Sequence, residues 1–324
     1  MSKAIRVHEY GAPKVMQWEN AKPGKPKKGE VLVRHHAVGL NYIDTYFRSG
    51  AYKAPALPFT PGNEGAGEVL ALGAGVTGLK VGDRVAYAGP LGSYSEERTM
   101  PADRLVKIPD NVSYELAASI MLKGMTAQYL LRRTFRVKKG DTILFHAAAG
   151  GVGLMACQWA NALGATVIGT VGSKEKAKLA KAHGCHHVIN YREKDFVEQV
   201  RRITRKEGVD VVYDGVGKDT FPGSLDCIKP LGMWVLFGAA SGPVPPLDLQ
   251  MLAARGSLFT TRPTLFSYIA KREDLVKTAR ELFKVVGDET VKVEINQRYK
   301  LKDAAKAHRD LEGRKTTGAS VLLP

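Results

Sequence analysis

The chain has 324 residues, which suits two domains better than a single core. Hydrophobic residues make up 44% and charged residues 25%, the balance of an ordinary globular protein, and no apolar run reaches the roughly 18 residues of a membrane span. Lys and Arg number 48 against 32 Asp and Glu, a net charge of +16 that attracts polyanions, while three cysteines (Cys157, Cys185, Cys227) speak against a disulfide framework and fit a reducing compartment.

The N-terminus, Met1 to His8, passes straight into apolar/polar alternation, with no signal-peptide h-region or cleavage site, so a cytoplasmic location is expected. The first 110 residues then read as short strands and turns. Val31–His36, Gly67–Ala71, Asp83–Ala86 and Arg104–Ile108 are strands, and the glycines from Gly73 to Gly82 punctuate a turn. This spacing predicts a barrel or sandwich. Ser113 then caps a helix starting near Tyr114.

From about residue 141 strands alternate with helical stretches. The strands are Thr142–Phe145, Thr166–Val171, His187–Ile189, Val209–Tyr213, Met233–Phe237 and Ser257–Thr261. Such alternation predicts a parallel sheet with crossover helices. The remainder reads as a long amphipathic helix over Leu265–Val286, a short one over Asp303–Glu312 and a last strand, Ala319–Leu323.

The most informative stretch is Thr142 to Ser173. A buried-type strand, Thr142–His146, runs into Ala147-Ala148-Ala149-Gly150-Gly151-Val152-Gly153. Val152, Met155, Ala156, Trp159, Ala160 and Leu163 then fall on one helical face. Against the pattern G-x-G-x-x-G, Ala148 stands first, Gly150 second and Gly153 third. Gly150 lets the backbone approach a pyrophosphate and Gly153 lets the helix pack on the strand, so Ala149 to Gly153 form a dinucleotide turn at a helix N-terminus. An NAD site carries Asp or Glu about 20 residues further on. Here Ser173 stands there, after Gly172 and before Lys176. A hydroxyl and a cation suit a 2′-phosphate, so the expected cofactor is NADPH, and Glu175 is the one residue that argues for NADH if it turns inward.

Other chemistries lack their residues. There is no C-x-x-C, no G-x-S-x-G and no H-E-x-x-H. His35-His36 and His186-His187 are neighbours on strands, whose side chains point to opposite faces, so neither pair readily shares a metal, and none is expected. The basic residues are spread over Lys22–Lys28, Arg132–Lys139, Lys174–Lys181 and Arg201–Lys206 without interleaved aromatics, so nucleic acid is a secondary partner at most.

Pro61-Gly62-Asn63-Glu64-Gly65-Ala66-Gly67, the glycine turn, Asn41–Gly50, Asn190–Glu193 and the tail Leu311–Pro324 together resemble medium-chain dehydrogenases/reductases. Within that superfamily the chain resembles the zinc-free quinone oxidoreductases related to zeta-crystallin. The zinc-dependent members have Gly-His-Glu where this chain has Gly62-Asn63-Glu64, and Gly39-Leu40-Asn41 replaces their early cysteine. The resemblance implies an α/β chain: a Rossmann doubly wound parallel sheet over residues 125–262, plus a GroES-like β-barrel-type catalytic domain from 1–124 and 263–324. It implies that Asn41 and Thr126 lie near the nicotinamide ribose. It places Ser173, Lys176, Tyr191 and Arg314 around the adenosine 2′-phosphate. It sets Phe237, Gly238, Ala239 and Ser241, with Arg262, Pro263 and Thr264, beside the nicotinamide. Ala239 and Ala240 offer no side-chain donor.

The expected reaction is hydride transfer from NADPH to a quinone, without zinc. Enones or enoyl thioesters are the alternative acceptors, and an NADPH-sensitive RNA-binding protein is the alternative of another class. The nicotinamide carries the chemistry and the protein supplies orientation and polarity. Without a metal the substrate oxygen needs hydrogen-bond donors, for which Tyr46, Tyr52 and Arg262 are candidates. A homodimer is expected through the last sheet strand, near Ser257–Thr261, as the resemblance implies.

Overall fold

The computed structural model describes residues 2–324. The chain begins with β1 (Ser2–Val7), β2 (Met16–Ala21), β3 (Glu30–Gly39), α1 (Tyr42–Ser49), β4 (Glu64–Leu72), β5 (Arg84–Ala88), β6 (Glu97–Pro101) and β7 (Val106–Lys107). Helix α2 (Tyr114–Tyr129) leads to β8 (Thr142–Phe145), α3 (Gly151–Ala162), β9 (Thr166–Val171), α4 (Lys174–Ala182), β10 (His187–Asn190), α5 (Phe196–Ile203) and β11 (Val209–Asp214). Then come α6 (Gly223–Asp226), β12 (Ile228–Leu236), α7 (Gln250–Ala253), β13 (Phe259–Thr261), α8 (Leu265–Tyr268), α9 (Arg272–Gly287), β14 (Ile295–Lys300), α10 (Ala304–Glu312) and β15 (Ala319–Leu323).

Two compact units result. The first comprises Met1–Met125, Ile269–Phe283 and Val293–Pro324, the second Thr126–Tyr268 and Lys284–Lys292. The last piece is tied to the second unit through Gln158, whose amide donates to Lys292 O (2.9 Å) and accepts from Lys292 N (3.0 Å).

In the first unit the sheet runs β14-β15-β3-β4-β5-β7, with β6 also paired to β3. Alternation sorts β3 between core and solvent. His35 is buried, its ring nitrogens 2.7 Å from Tyr87 Oη and 2.6 Å from Ser95 O, while His36 is exposed. Burial pushes the His35 pKa down to about 3. His186 and His187 do not divide in this way, because β10 begins at His187 and both are exposed.

The second unit is a six-stranded parallel sheet in the order β10-β9-β8-β11-β12-β13. In order of appearance this is 3-2-1-4-5-6, the doubly wound arrangement whose order reverses beside its first strand. Ile143, Leu144, Val167, Ile168, Val211 and Val212 lie in the buried middle of the sheet, as continuous apolar strands covered on both faces require.

Three expectations differ from the structure. The helix expected over Leu265–Val286 is broken into α8 and α9. At the break the carbonyls of Ile269 and Ala270 accept from the Arg104 guanidinium (3.1 and 2.9 Å), and Arg272 in turn donates to the carbonyls of Asp103 and Leu105. The same exchange engages Leu105 O, and Ala102–Arg104 form a 3-10 turn, so the strand expected over Arg104–Ile108 shrinks to Val106–Lys107. Third, Ser257 adopts a left-handed backbone (φ 58°), so the last sheet strand begins only at Phe259. Strands β2, β6 and β14 join those expected, and β14 is an edge strand of mixed polar composition.

Candidate functional site

In the second unit the site begins where β8 stops. His146 N still donates to Tyr213 O (3.0 Å), and then Ala147 turns the chain with φ 55°. Ala148 N bonds Thr170 O on β9, and Gly150, in extended conformation, caps α3. The left-handed residue is therefore Ala147, one place before the first motif position. Gly153 is required by contact: a Cβ there would stand 2.5 Å from Ala147 O and 2.7 Å from Ala148 O. No side chain caps α3. The N–H groups of Gly151, Val152 and Gly153 have no acceptor inside the helix, and they sit at its positive end. This cradle fits a phosphate.

The neighbouring strand builds the second part. After β9, Gly172 packs against the half-exposed ring of Tyr191, whose Oη would lie 2.5 Å from a Cβ at that position. Ser173 caps α4, its Oγ accepting from Lys176 N (3.2 Å). Glu175 lies in the first turn of α4. It is exposed, and its own backbone N–H, then the Ser173 hydroxyl, hold its carboxyl below the usual range. Gly172 meets Tyr191, and Ser173, whose hydroxyl is engaged by the Glu175 carboxylate, and half-buried Lys176 follow at the head of α4. Arg314 belongs to the first unit, on an exposed left-handed turn (φ 58°) after α10, and its charge acts on Tyr42.

The strand end after β12 lies over the β11 turn. Phe237 N donates to Asp214 O, Ala240 N to Gly215 O and Ser241 N to Val216 O. The Ser241 hydroxyl is occupied there, donating to Val216 O (2.9 Å) and accepting from Asp219 N (2.9 Å). Gly238 and Ala239 are half-buried between these bonds. After β13, Arg262 is exposed and bonds Pro263 O (3.2 Å), Pro263 is buried and Thr264 exposed. Thr126 is buried on α2. Beneath the turn, buried Asp214 gathers donors from Val216, Gly217, Thr220, Ser224 and Trp234.

In the first unit a second set of buried polar groups surrounds the start of α1. Asn41 is 4% exposed. Its backbone N–H donates to Asp44 Oδ2 (2.9 Å), and its side-chain amide donates to Glu64 Oε2 (2.6 Å). Glu64, fully buried, also accepts from Leu122 N (2.8 Å) and Lys123 Nζ (3.2 Å). Asn63 Nδ2 donates to Asp44 Oδ1 (2.9 Å), and Tyr94 Oη to Asp44 Oδ2 (3.0 Å). Burial pushes the Asp44 carboxyl up to about 6 against the pull of those bonds. Along α1 and just beyond it, Tyr46 and Tyr52 pack ring to ring (5.1 Å between centroids), with Tyr42 and Phe47 at their edges. Among the described residues no group of three or more His, Cys, Asp or Glu is placed to hold a metal ion.

This geometry agrees with what the chain is similar to. Residues 27–110 match the alcohol dehydrogenase GroES-like domain and residues 151–285 the zinc-binding dehydrogenase family. The chain is 53% identical to a quinone oxidoreductase of Pseudomonas aeruginosa, over the whole of both chains. It belongs to the quinone oxidoreductase family of medium-chain dehydrogenases/reductases. A crystal structure of Escherichia coli quinone oxidoreductase complexed with NADPH superimposes with a TM-score of 0.98 at 48% identity, covering 99% of this chain and 100% of that one. A 2-haloacrylate reductase of Burkholderia sp. is 46% identical over 100% of this chain and 99% of its own.

As a family member the chain shows the doubly wound sheet and GroES-like unit that the sequence implied. No motif in the sequence gives Glu64, Lys123 or Asp214 a role. Glu64 and Lys123 lie 59 residues apart in the chain and meet only in the fold. Asp214, a lone Asp at a strand end, carries no spacing signal either.

Proposed function

We propose that this chain reduces quinones with NADPH by hydride transfer, without zinc. The observation that carries the cofactor choice is the 48% identical solved relative complexed with NADPH, and Ser173 and Lys176 at the head of α4 support it. The Lys176 cation suits a 2′-phosphate, and the Glu175 carboxylate beside Ser173 is already engaged by its own N–H and by the Ser173 hydroxyl. Arg314 adds a further cation in this proposal. The first turn of α3, Gly151 to Gly153 behind Ala149 and Gly150, holds the pyrophosphate. Asn41, Thr126 and the segments Phe237–Ser241 and Arg262–Thr264 keep the nicotinamide-side roles that the resemblance implies.

When bound, NADPH supplies a hydride from its nicotinamide ring. The residues of the chain orient the acceptor and polarise its oxygen, and Tyr46, Tyr52 and Arg262 are the donors we assign to that task. Solvent supplies the proton that completes the hydroquinone. The zinc-free chemistry is supported by Asn63, which stands where zinc-dependent members carry His and uses its amide to bond Asp44 (2.9 Å). The Burkholderia relative's name supports a second acceptor class, activated acrylates.

Purified protein is expected to oxidise NADPH with 1,4-benzoquinone and to prefer NADPH over NADH. Absence of turnover with every quinone and activated alkene would overturn the assignment. Lys176→Ala is expected to narrow the NADPH/NADH preference roughly tenfold or more, the size of a lost hydrogen bond to a charged group. Equal loss for both cofactors would remove Lys176 from the phosphate site.

We also propose a homodimer through β13. This strand is an edge of the six-stranded sheet, with Phe259 57% and Leu231 69% exposed beside it. A second copy would cover both and pair the open edge. Phe259→Lys is expected to shift the sedimentation coefficient towards the monomer, and a wild-type monomer would refute the contact.

A further inference from the structure

Asn41 is held at both ends. Its backbone N–H is fixed by Asp44 and its side-chain amide by Glu64, 2.6 Å away. A carboxylate accepts hydrogen bonds and donates none, so the amide edge facing Glu64 must be the NH2 group. The reverse orientation would press a carbonyl oxygen against a carboxylate oxygen at that distance. Glu64 in turn is fixed by Leu122 N–H on α2 and by the Lys123 ammonium, which is itself 6% exposed. A buried ammonium without this partner would be an uncompensated charge.

We infer that Glu64 is a positioning residue that sets the polarity of Asn41, so that its carbonyl oxygen, which also faces the Asp44 N–H as the cap of α1, turns a lone pair to a hydroxyl or N–H donor of the nicotinamide riboside. This rests on the proposed NADPH site. It adds a direction: Asn41 selects a donor on the ligand. Glu64 touches no ligand and acts through Asn41, while Lys123 and Leu122 keep Glu64 in place. The arrangement is built from buried groups of β4, α1 and α2, so it exists before any cofactor binds.

The test measures affinity for NADPH, by its fluorescence, beside affinity for adenosine 2′,5′-bisphosphate, which has the 2′-phosphate but no nicotinamide riboside. Glu64→Gln and Asn41→Leu are each expected to weaken NADPH roughly tenfold or more. Affinity for the bisphosphate should stay within about twofold of wild type, because its contacts are made by other residues. Combining the two substitutions should add little to either alone, as expected for residues acting as one unit. The exchange Asn41→Asp with Glu64→Gln restores an amide–carboxylate pair and keeps an acceptor at position 41, so it should recover most of the NADPH affinity. It also carries the test if Glu64→Gln alone fails to fold. Equal weakening of both ligands would mark Glu64 as merely structural and overturn the inference. So would unchanged NADPH affinity in Glu64→Gln, or an exchange variant no better than Asn41→Leu. Failure of the wild type to bind NADPH would instead overturn the proposed function.

Discussion

Gly153→Val is expected to remove NADPH binding from an otherwise folded chain. The reason is contact. A Cβ at this position would lie 2.5 Å from Ala147 O and 2.7 Å from Ala148 O, and both are backbone atoms that cannot swing aside. The first turn of α3 must therefore retreat from the end of β8. Overpacking of this kind costs about 1–3 kcal/mol of stability. The effect on binding is larger, because the N–H groups of Gly151 to Gly153 move with the helix. Losing two charge-assisted hydrogen bonds forfeits about 3 kcal/mol or more, roughly a hundredfold in affinity. Gly150→Ala makes an informative contrast. Its only near neighbour is Ala147 O at 3.1 Å, so the fold should tolerate it, and any loss of affinity reports directly on crowding of the phosphate. Fluorescence titration and thermal unfolding of both variants separate the two effects. Wild-type affinity in Gly153→Val would show that the turn is not the pyrophosphate site.

The same turn shows where sequence reasoning reaches and where it stops. Strand, glycines and helix follow one another locally, so periodicity and three glycines suffice to place α3 and its N-terminus. The left-handed turn residue could not be placed that way, because it is Ala147, not a glycine. Ser173 and Lys176 were legible because they lie a fixed distance beyond the turn, at the head of the next helix. Glu175 was not, since its direction depends on bonds to its own N–H and to Ser173. The break between α8 and α9 was invisible for a similar reason. Apolar spacing runs through it, and the deciding partner, Arg104, is 165 residues away. Glu64 and Lys123 illustrate the limit most clearly. Burial of a carboxylate and an ammonium together is a property of the packed core, and single-residue patterns contain no term for it.

Asp214→Ala is expected to be the most destabilising single substitution in the dinucleotide-binding unit. Asp214 is fully buried at the end of β11. One oxygen accepts from Val216 N (2.9 Å) and Gly217 N (3.1 Å), the other from Thr220 Oγ1 (2.8 Å), Ser224 Oγ (2.9 Å) and Trp234 Nε1 (3.3 Å). Because Ser224 gives its proton to Asp214, its oxygen must accept from His146 Nε2 (3.1 Å). The other ring nitrogen then accepts from Thr170 Oγ1 (2.9 Å). Nδ1 is the acceptor because burial lowers the His146 pKa and keeps the ring neutral. The chain of bonds runs from Thr170 through His146 and Ser224 to Asp214, so the carboxyl ends of β8, β9, β11 and β12 converge on one carboxylate. Alanine would leave the N–H groups of Val216 and Gly217, the Ser224 hydroxyl and Trp234 without this acceptor, while Thr220 can turn to Gly217 O (2.9 Å). Each orphaned donor costs about 1–3 kcal/mol, and partial relaxation reduces the sum to about 4–5 kcal/mol. Asp214→Asn keeps one acceptor oxygen but turns an NH2 group towards two or three donors, so it should fall between wild type and alanine. Chemical denaturation followed by tryptophan fluorescence is well suited, since Trp234 is itself a member of the network. A loss below about 1 kcal/mol in Asp214→Ala would show that water or the loop replaces the carboxylate readily. A large loss would mean that the strand ends beside the proposed phosphate-binding turn are held together by one buried carboxylate.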